Sequence, residues 1–201
     1  TLSVILEKGG NSGSIEEART LRHKALDRLE RGDRALYTRL LNNTAIVLQN
    51  DNRLDSAAEM FDLLLAAMAK GPATAELGIT QFNAAVLARD RQRYDEAIEL
   101  HRQAIAILER ITGRQSEETI AALGGLGQTY GFAGQPAAAV PLLAEAYRRA
   151  DRALGDSDDT MIQANNYAAV LRELGSFREA EPLDRRALAW RDKALGPAHA
   201  S

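Results

Sequence analysis

The sequence predicts an all-α fold, a right-handed superhelical solenoid of antiparallel helix pairs, and three observations lead to that prediction. First, five short segments of similar pattern each end in alanine, and these alanines recur at nearly constant spacing, at positions 18, 57, 97, 139 and 180. Second, a small residue precedes each of the last four alanines at one fixed offset. Third, glycine and proline separate the repeated segments, and both residues end helices for steric reasons. A period of about 40 residues is typical of stacked helical hairpins.

Each period divides into a first helix (A), a short turn, a second helix (B) and a longer turn. Residues 1–12 are expected to hold a degraded A helix that ends near Val4–Leu6. In chain order, the helices predicted after it are B 14–30, A 33–50, B 53–69, A 73–91, B 94–111, A 116–133, B 136–154, A 157–174 and B 177–195. Ser157 or Asp158 is suited to cap the last A helix. We expect one domain over residues 1–201, with repeats at about 1–31 (partial), 32–72, 73–114, 115–155 and 156–197.

Small residues mark the places where the two helices of a pair are expected to cross. Ala45, Ala85, Gly127 and Ala168 each precede one of the last four repeat alanines by the same distance along the chain. A larger side chain at such a crossing would push the two backbones apart, and overpacking of this kind costs roughly 1–3 kcal/mol. The spacing therefore predicts closely packed antiparallel pairs.

Composition excludes several classes of function. The 201 residues include no cysteine, which rules out disulfides and thiolate metal ligands. The formal net charge of −3 gives no sign of the basic excess that nucleic-acid binding requires. No apolar stretch approaches the ~20 residues that span a bilayer. We therefore expect no nucleic-acid or membrane partner, and a cytoplasmic location.

Several segments resemble the tetratricopeptide repeat family. The segment 154–160 (LGDSDDT) is similar to the family's linker between repeats, 165–171 (NNYAAVL) to its helix A, and 179–183 (EAEPL) with Ala187-Leu188 to its helix B. The period near 41, in place of the usual ~34, resembles the kinesin-light-chain type. The resemblance covers about residues 13–199. It implies a concave groove, lined by A helices, that binds a segment of a partner protein. The third repeat departs from the family, because Gly124-Gly125 stands where asparagines are expected.

Asparagines of the A helices are the first candidates for contact with a partner. Counting back by one constant offset from the repeat alanines gives Asn43, Asn83, Gly125 and Asn166, and two of these positions are preceded by Asn42 and Asn165. The resemblance implies that such an asparagine faces the groove and holds the backbone of an extended peptide. A carboxamide suits this task because it both donates and accepts hydrogen bonds. The alternative is that these asparagines bond between helices and stabilise the stack.

Long polar side chains form a second set of candidates. The same counting places five of them on or near the groove, namely Arg39, Gln49, Arg89, Gln128 and Arg172. Arginines there would favour acidic segments or carboxylates. The alternative is a solvated helix edge with local ion pairs. Two further basic clusters fall on B helices, Arg148-Arg149-Arg152 and Arg185-Arg186. They are predicted to form a solvated convex face, and the alternative is phosphate binding.

No catalytic, cofactor or metal site is predicted. The one dense glycine run, 124–127, falls inside an A helix and not between a strand and a helix, so it does not fit a phosphate-binding loop. His23, His101 and His199 lack metal-ligand spacing. The acidic stretch 156–159 lacks the later glycine and glutamate of an EF-hand and is better suited to helix capping.

These patterns predict a non-catalytic protein–protein interaction scaffold that binds a peptide or protein segment in its groove. The alternative is a regulatory or self-association arm of a larger multidomain signalling protein. The segment 195–201 is similar to a linker into a further repeat, so we expect the natural protein to continue past Ser201. Exposed Leu188 or Leu195 on the last helix would then favour end-to-end homo-oligomers.

Overall fold

The computed structural model describes residues 34–195, which form eight α-helices with no strand among them. In chain order these are α1 (Arg34–Asn50), α2 (Leu54–Met68), α3 (Ala75–Asp90), α4 (Tyr94–Ile111), α5 (Glu117–Phe132), α6 (Pro136–Leu154), α7 (Asp158–Glu173) and α8 (Phe177–Leu195). Each helix begins and ends close to its predicted bounds, so the all-α prediction is confirmed. The predicted B helix at 14–30 and the degraded helix near Val4–Leu6 lie outside the described residues.

The helices alternate between two layers. The A helices are α1, α3, α5 and α7, and each packs against the B helix that follows it, which is α2, α4, α6 or α8. Each A helix after the first also packs against the preceding B helix and the preceding A helix. Because A helices contact one another directly, they line the inner wall of the solenoid, which we call the A wall.

The repeat alanines are the points of closest packing. Ala57, Ala97 and Ala139 are fully buried, and Ala180 is 1% exposed. The small residues that precede them at the crossings, among them Ala45 and Ala85, are also fully buried. The predicted crossing points therefore lie in the core, which runs as a chain of clusters along the stack.

The four A-to-B turns share one backbone geometry. Asn52, Gln92, Gly134 and Gly175 occupy equivalent positions, and all four have φ between 59° and 75°. Glycine adopts this left-handed conformation without steric cost, and asparagine tolerates it better than most residues. Gln92 is therefore the least suited of the four to its position.

The B-to-A turns end in a capping hydroxyl. Thr74, Ser116 and Ser157 each accept a hydrogen bond from a backbone N–H in the first turn of the A helix that follows. The predicted cap at Ser157 is confirmed. The caps at Ser116 and Thr74 are its equivalents one and two repeats earlier, and these turns fix where each A helix begins.

Candidate functional site

The candidate asparagines lie on the A wall but differ in exposure. Asn43 and Asn165 are exposed, whereas Asn83 and Asn166 are half-buried. Asn42 is buried, with 7% of its surface exposed. Consecutive asparagines thus point in different directions, since neighbouring residues on a helix are ~100° apart around its axis.

A chain of hydrogen bonds joins the first two described A helices. Thr80 donates to the Glu76 carbonyl oxygen at 2.8 Å, and the Asn42 carboxamide donates to the Thr80 hydroxyl oxygen, also at 2.8 Å. The Asn83 carboxamide in turn donates to the Asn42 Oδ1 at 3.2 Å. We call these contacts the amide relay. They give buried Asn42 a hydrogen-bond partner for both its nitrogen and its oxygen, and they fix the orientation of Asn83.

The series of A-helix asparagines is interrupted in α5, where Gly125 stands at the position of Asn83 and Asn166. A Cβ at Gly125 would lie 2.7 Å from Cε1 of His101 and 3.1 Å from Cε2 of Phe82. The imidazole of His101 therefore occupies the space in which an asparagine side chain would begin, and its ring lies 5.7 Å from that of Phe82. At Gly124 a Cβ would collide with the Gln163 carboxamide of α7. The absence of a side chain at both positions makes room for residues of neighbouring helices.

His101 is an unusual core residue. It is fully buried, and neither ring nitrogen has a hydrogen-bond partner within the described part of the chain. Burial, with a smaller effect from the nearby Arg89 cation, lowers the pKa of His101 from 6.5 to about 3. The imidazole is therefore neutral at physiological pH.

A second set of contacts joins side chains near the C-terminal ends of α1, α3 and α5. Arg89 donates to Gln128 Oε1 at 3.0 Å and to Asp90 Oδ1 at 2.9 Å. Its guanidinium lies 5.4 Å from the centroid of the Phe132 ring, which is 64% exposed. Gln49 donates to the other oxygen of Asp90. Side chains of α1, α3 and α5 are thereby linked across two junctions.

The remaining arginine candidates lie apart from these contacts. Arg39 is exposed on α1. Arg172 extends toward α8 and binds both oxygens of Asp184, with the Nη1 atom 2.6 Å from each. The structure thus brings together Asn42 with Asn83, and Arg89 with Gln128, but it joins neither Arg39 nor Arg172 to these groups. Sequence reasoning did not name Thr80, Asp90 or Phe132, and it considered His101 only as a metal ligand. Of these four residues, only His101 lies outside the A helices.

The convex face differs from its prediction most at Arg149. Arg149 is 8% exposed, so the interpretation of its cluster as a solvated face is wrong at that position. Its guanidinium donates to Glu109 Oε1 at 2.7 Å, to Glu145 Oε1 at 2.9 Å and to the Arg114 carbonyl oxygen. These contacts join α4, α6 and the turn after α4. Partnered in this way, the guanidinium can be buried.

The described residues provide little for metal or membrane chemistry. Between residues 34 and 195, no three histidine, cysteine, aspartate or glutamate side chains are grouped as metal ligands would be. None of the eight helices is long and apolar enough to cross a bilayer.

Comparison with known proteins confirms the predicted resemblance. Two sequence models of the tetratricopeptide repeat match the chain, one over residues 76–152 and the other over 160–201, which together make up more than half of it. No match was found among curated proteins.

Solved structures share the fold. BtubC (BKLC) from P. vanneervenii is similar with a TM-score of 0.75 and 23% identity, over 94% of this chain and 77% of that one. A protein from Podosopora anserina, described as kinesin-light-chain-like with nearly identical TPR-like repeats, gives a TM-score of 0.66 and 21% identity, over 94% of this chain and 90% of that one. MamA MSR-1 C2 gives 0.53 and 14%, over 88% and 91%.

Proposed function

Because the chain belongs to the tetratricopeptide repeat family, we propose that it is a non-catalytic cytoplasmic scaffold that holds an extended segment of a partner protein against its A wall. Tetratricopeptide repeats are protein–protein interaction modules and are generally non-catalytic. In the proposed complex, Asn43, Asn83 and Asn166 bind the partner's backbone.

The amide relay is the observation that carries this proposal. One N–H of Asn83 is donated to Asn42 Oδ1, and a carboxamide has a second N–H and a carbonyl oxygen for a ligand. A group already held in its binding orientation loses less conformational entropy when the ligand arrives. In this proposal Asn42 is a positioning residue. The alternative, that the asparagines only stabilise the stack, applies best to Asn42.

The arginines suggest where a partner carboxylate would bind. Arg39 is exposed, and the ion pair of Arg172 with Asp184 is 44% and 41% exposed on its two sides. Exposed ion pairs contribute little, about 0–1 kcal/mol, so a partner carboxylate can replace Asp184 at low cost. Arg89 and Gln128 are joined to each other and, through Arg89, to Asp90. We propose that they support the groove at the C-terminal ends of the A helices.

A peptide-selection experiment tests the proposal. Peptides selected from a random library on the wild-type protein are titrated by calorimetry into the wild type and into the triple variant Asn43→Ala, Asn83→Ala, Asn166→Ala. Each lost hydrogen bond is worth about 0.5–1.5 kcal/mol, so the triple variant should bind at least ~10-fold more weakly. The matched control is Gln115→Ala, which removes an exposed amide in the turn before α5. Equal affinity in the triple variant, with unchanged helicity, would rule out the asparagine mechanism.

A second candidate function is self-association through α8, and the exposure of Leu188 favours it. Leu188 is 47% exposed, as predicted, whereas the side chain of Leu195 lies outside the described residues. Leu188 is the counterpart of Tyr147, which packs against the next A helix. Its neighbours on the same face of α8 are charged, however, and include Glu181 and Arg191. Sedimentation velocity over a range of concentrations tests this candidate, since Leu188→Glu should abolish any concentration-dependent association of the wild type.

A further inference from the structure

A cavity lies on the convex side of the junction at which α2, α3 and α4 pack together. It has a volume of about 230 Å³ and lies between α2 and α4, above α3. Apolar side chains line it, among them Ala58, Phe61, Leu65, Ala84, Leu87 and Ala88. Charged side chains of Asp62, Arg91, Arg93 and Glu96 complete the lining. We call it the α2–α4 cavity.

Small residues at three repeat positions account for the cavity. Ala88 corresponds to Tyr130 in the next repeat and to Leu171 in the one after. Ala84 likewise corresponds to Leu126 and Tyr167, and Ala58 to Ile98 and Val140. Large side chains therefore occupy at the later junctions the positions that alanines occupy here. The cavity exists because this junction alone of the three carries alanine at all three positions.

The next junction shows what fills the equivalent space. Tyr130 packs against the cluster of Ala139, Leu143 and Val170, and its hydroxyl oxygen accepts a hydrogen bond from the Arg102 guanidinium at 2.7 Å. Arg102 has Asp62 as its counterpart one repeat earlier. The α2–α4 cavity therefore lacks the aromatic ring, and the polar group beside it is a hydrogen-bond acceptor in place of a donor.

The other charges around the cavity are already paired. Arg91 binds Asp55 at 2.8 Å, and Arg93 Nε lies 2.7 Å from Glu96 Oε2, an ion pair that lacks hydrogen-bond geometry. Asp62 is exposed. The cavity thus presents an apolar floor and a carboxylate that accepts hydrogen bonds. A cavity of about 150 Å³ is enough to bind benzene, so the present one has room for a phenol ring.

We propose that the α2–α4 cavity receives a tyrosine side chain of a partner protein. The ring fills the space beside Ala84 and Ala88, as Tyr130 does in the next repeat, and the hydroxyl donates a hydrogen bond to the Asp62 carboxylate. The site lies on the side opposite the A wall, so it is separate from the groove proposed above and does not depend on it.

Amide chemical shifts measured with three small probes test the proposal on the whole chain. The probes are p-cresol, which represents the tyrosine side chain, toluene, which lacks the hydroxyl, and N-acetyl-tyrosinamide, which has peptide bonds on both sides. We expect p-cresol and N-acetyl-tyrosinamide to shift amides of α2, α3 and α4. We expect p-cresol to bind about 2–10-fold more tightly than toluene, the gain of one hydrogen bond.

Two variants and a control localise the binding. Ala88→Leu fills the cavity with the residue that stands at the equivalent positions 48 and 171, and should weaken p-cresol binding at least ~10-fold. Asp62→Ala should remove the preference for p-cresol over toluene. The matched control, Ala106→Leu, changes an exposed position of α4 outside the cavity and should bind as the wild type does.

Four results would overturn the proposal. These are an absence of shifts near the cavity with p-cresol, equal affinity for toluene and p-cresol in the wild type, unchanged binding in Ala88→Leu, and binding of p-cresol with exclusion of N-acetyl-tyrosinamide. The last result would indicate a site for a free phenolic molecule and not for a side chain of a polypeptide.

Discussion

The A wall contains two junctions that solve the same packing problem in opposite ways. Between α1 and α3, polar side chains meet and satisfy one another through the amide relay of Asn42, Thr80 and Asn83. Around α5, glycines remove the side chains, and His101 and Gln163 extend from neighbouring helices into the space. Within the described chain, His101 Nδ1 and Nε2 and Gln163 Oε1 are buried without a hydrogen-bond partner.

The difference shows how a solenoid accommodates a departure from its repeat. The position of His101 corresponds to Phe61 and Leu143 in the repeats on either side, and both of these are apolar. A histidine there is matched by Gly125 in place of an asparagine, so the two departures compensate each other in volume. They do not compensate each other in hydrogen bonding, because a buried polar atom without a partner costs about 1–3 kcal/mol. We therefore expect the α5 junction to be the less stable of the two.

A fall in pH should have the largest effect on the difference in stability between the two junctions. The pKa of His101 is about 3 in the folded chain and near 6.5 in the unfolded chain, so the unfolded chain takes up the proton first. Stability that is present above pH 6.5 is therefore lost as the pH falls toward 3, at about 1.4 kcal/mol per pH unit. Between pH 6.5 and pH 4.5 this amounts to about 2 kcal/mol, because half of the unfolded chains already carry the proton at pH 6.5.

The variant His101→Leu isolates this effect. It should be more stable than the wild type at pH 7 by about 1–3 kcal/mol, and the gap should widen as the pH falls. Urea denaturation of both proteins at several pH values measures the gap, and contributions from the other histidines cancel in the difference. A gap that does not change with pH would contradict the assignment of a neutral buried imidazole.

Restoring the asparagine of the other repeats should have the next largest effect. Gly125→Asn places a Cβ against the rigid His101 ring, and overpacking of a core typically costs about 1–3 kcal/mol. The matched control is Gly131→Ala in the same helix, where a Cβ would meet only Val170 Cγ2, at 3.5 Å. That change should be neutral or stabilising by up to ~1 kcal/mol, because alanine favours helix. Thermal denaturation compares the two, and equal stabilities would argue against close packing at Gly125.

Removing the centre of the amide relay should have a smaller effect. Asn42→Ala leaves Thr80 and Asn83 without a shared partner and should cost about 1–2 kcal/mol. Asn165→Ala is the control, since this exposed asparagine stands at the equivalent position of α7. Chemical denaturation should give the control a free energy of unfolding within ~0.5 kcal/mol of the wild type. A similar loss in both variants would show that the loss does not arise from the relay, since helix propensity alone favours alanine over asparagine.

The smallest effect is expected at the A-to-B turn, which has the same backbone geometry after α3 and after α5. Gln92 has φ of 61°, a conformation that costs a non-glycine residue about 1 kcal/mol. Gln92→Gly should therefore be neutral to stabilising by about 0.5–1 kcal/mol, while Gly134→Ala at the equivalent turn should lose a similar amount. A melting-temperature comparison of the two variants checks the sign. Destabilisation by Gln92→Gly would show that the glutamine side chain contributes something that its backbone geometry does not reveal.

The positions of the helices could be predicted from sequence because each is fixed by short-range chemistry. Glycine at Gly134 and Gly175 ends an A helix, a hydroxyl at Ser157 begins one, and a fully buried alanine such as Ala97 marks each crossing. These signals depend on a few neighbouring residues and recur from repeat to repeat. The helix bounds therefore followed closely from the pattern.

The directions of the side chains on the A wall could be predicted only in part. Counting residues places Asn42 and Asn43 on the right helix, but the two side chains diverge, and only their neighbours decide which becomes buried. The hydrogen bond between Asn42 and Thr80 joins residues 38 positions apart, so no local pattern contains it. The pairing of His101 with Gly125 could have been found by aligning the repeats, because each of the two differs from the residues at the equivalent positions of the neighbouring repeats.

The described helices are stacked in series, because each contacts only adjacent helices of the stack, so every junction carries a load applied along it. Under tension, the junction that separates first is the one whose separation costs the least free energy. The orphaned nitrogens of His101 gain water when the helices around them separate, so their hydration offsets part of the work of opening. Of the two junctions compared above, the one around α5 is therefore expected to separate at the lower force.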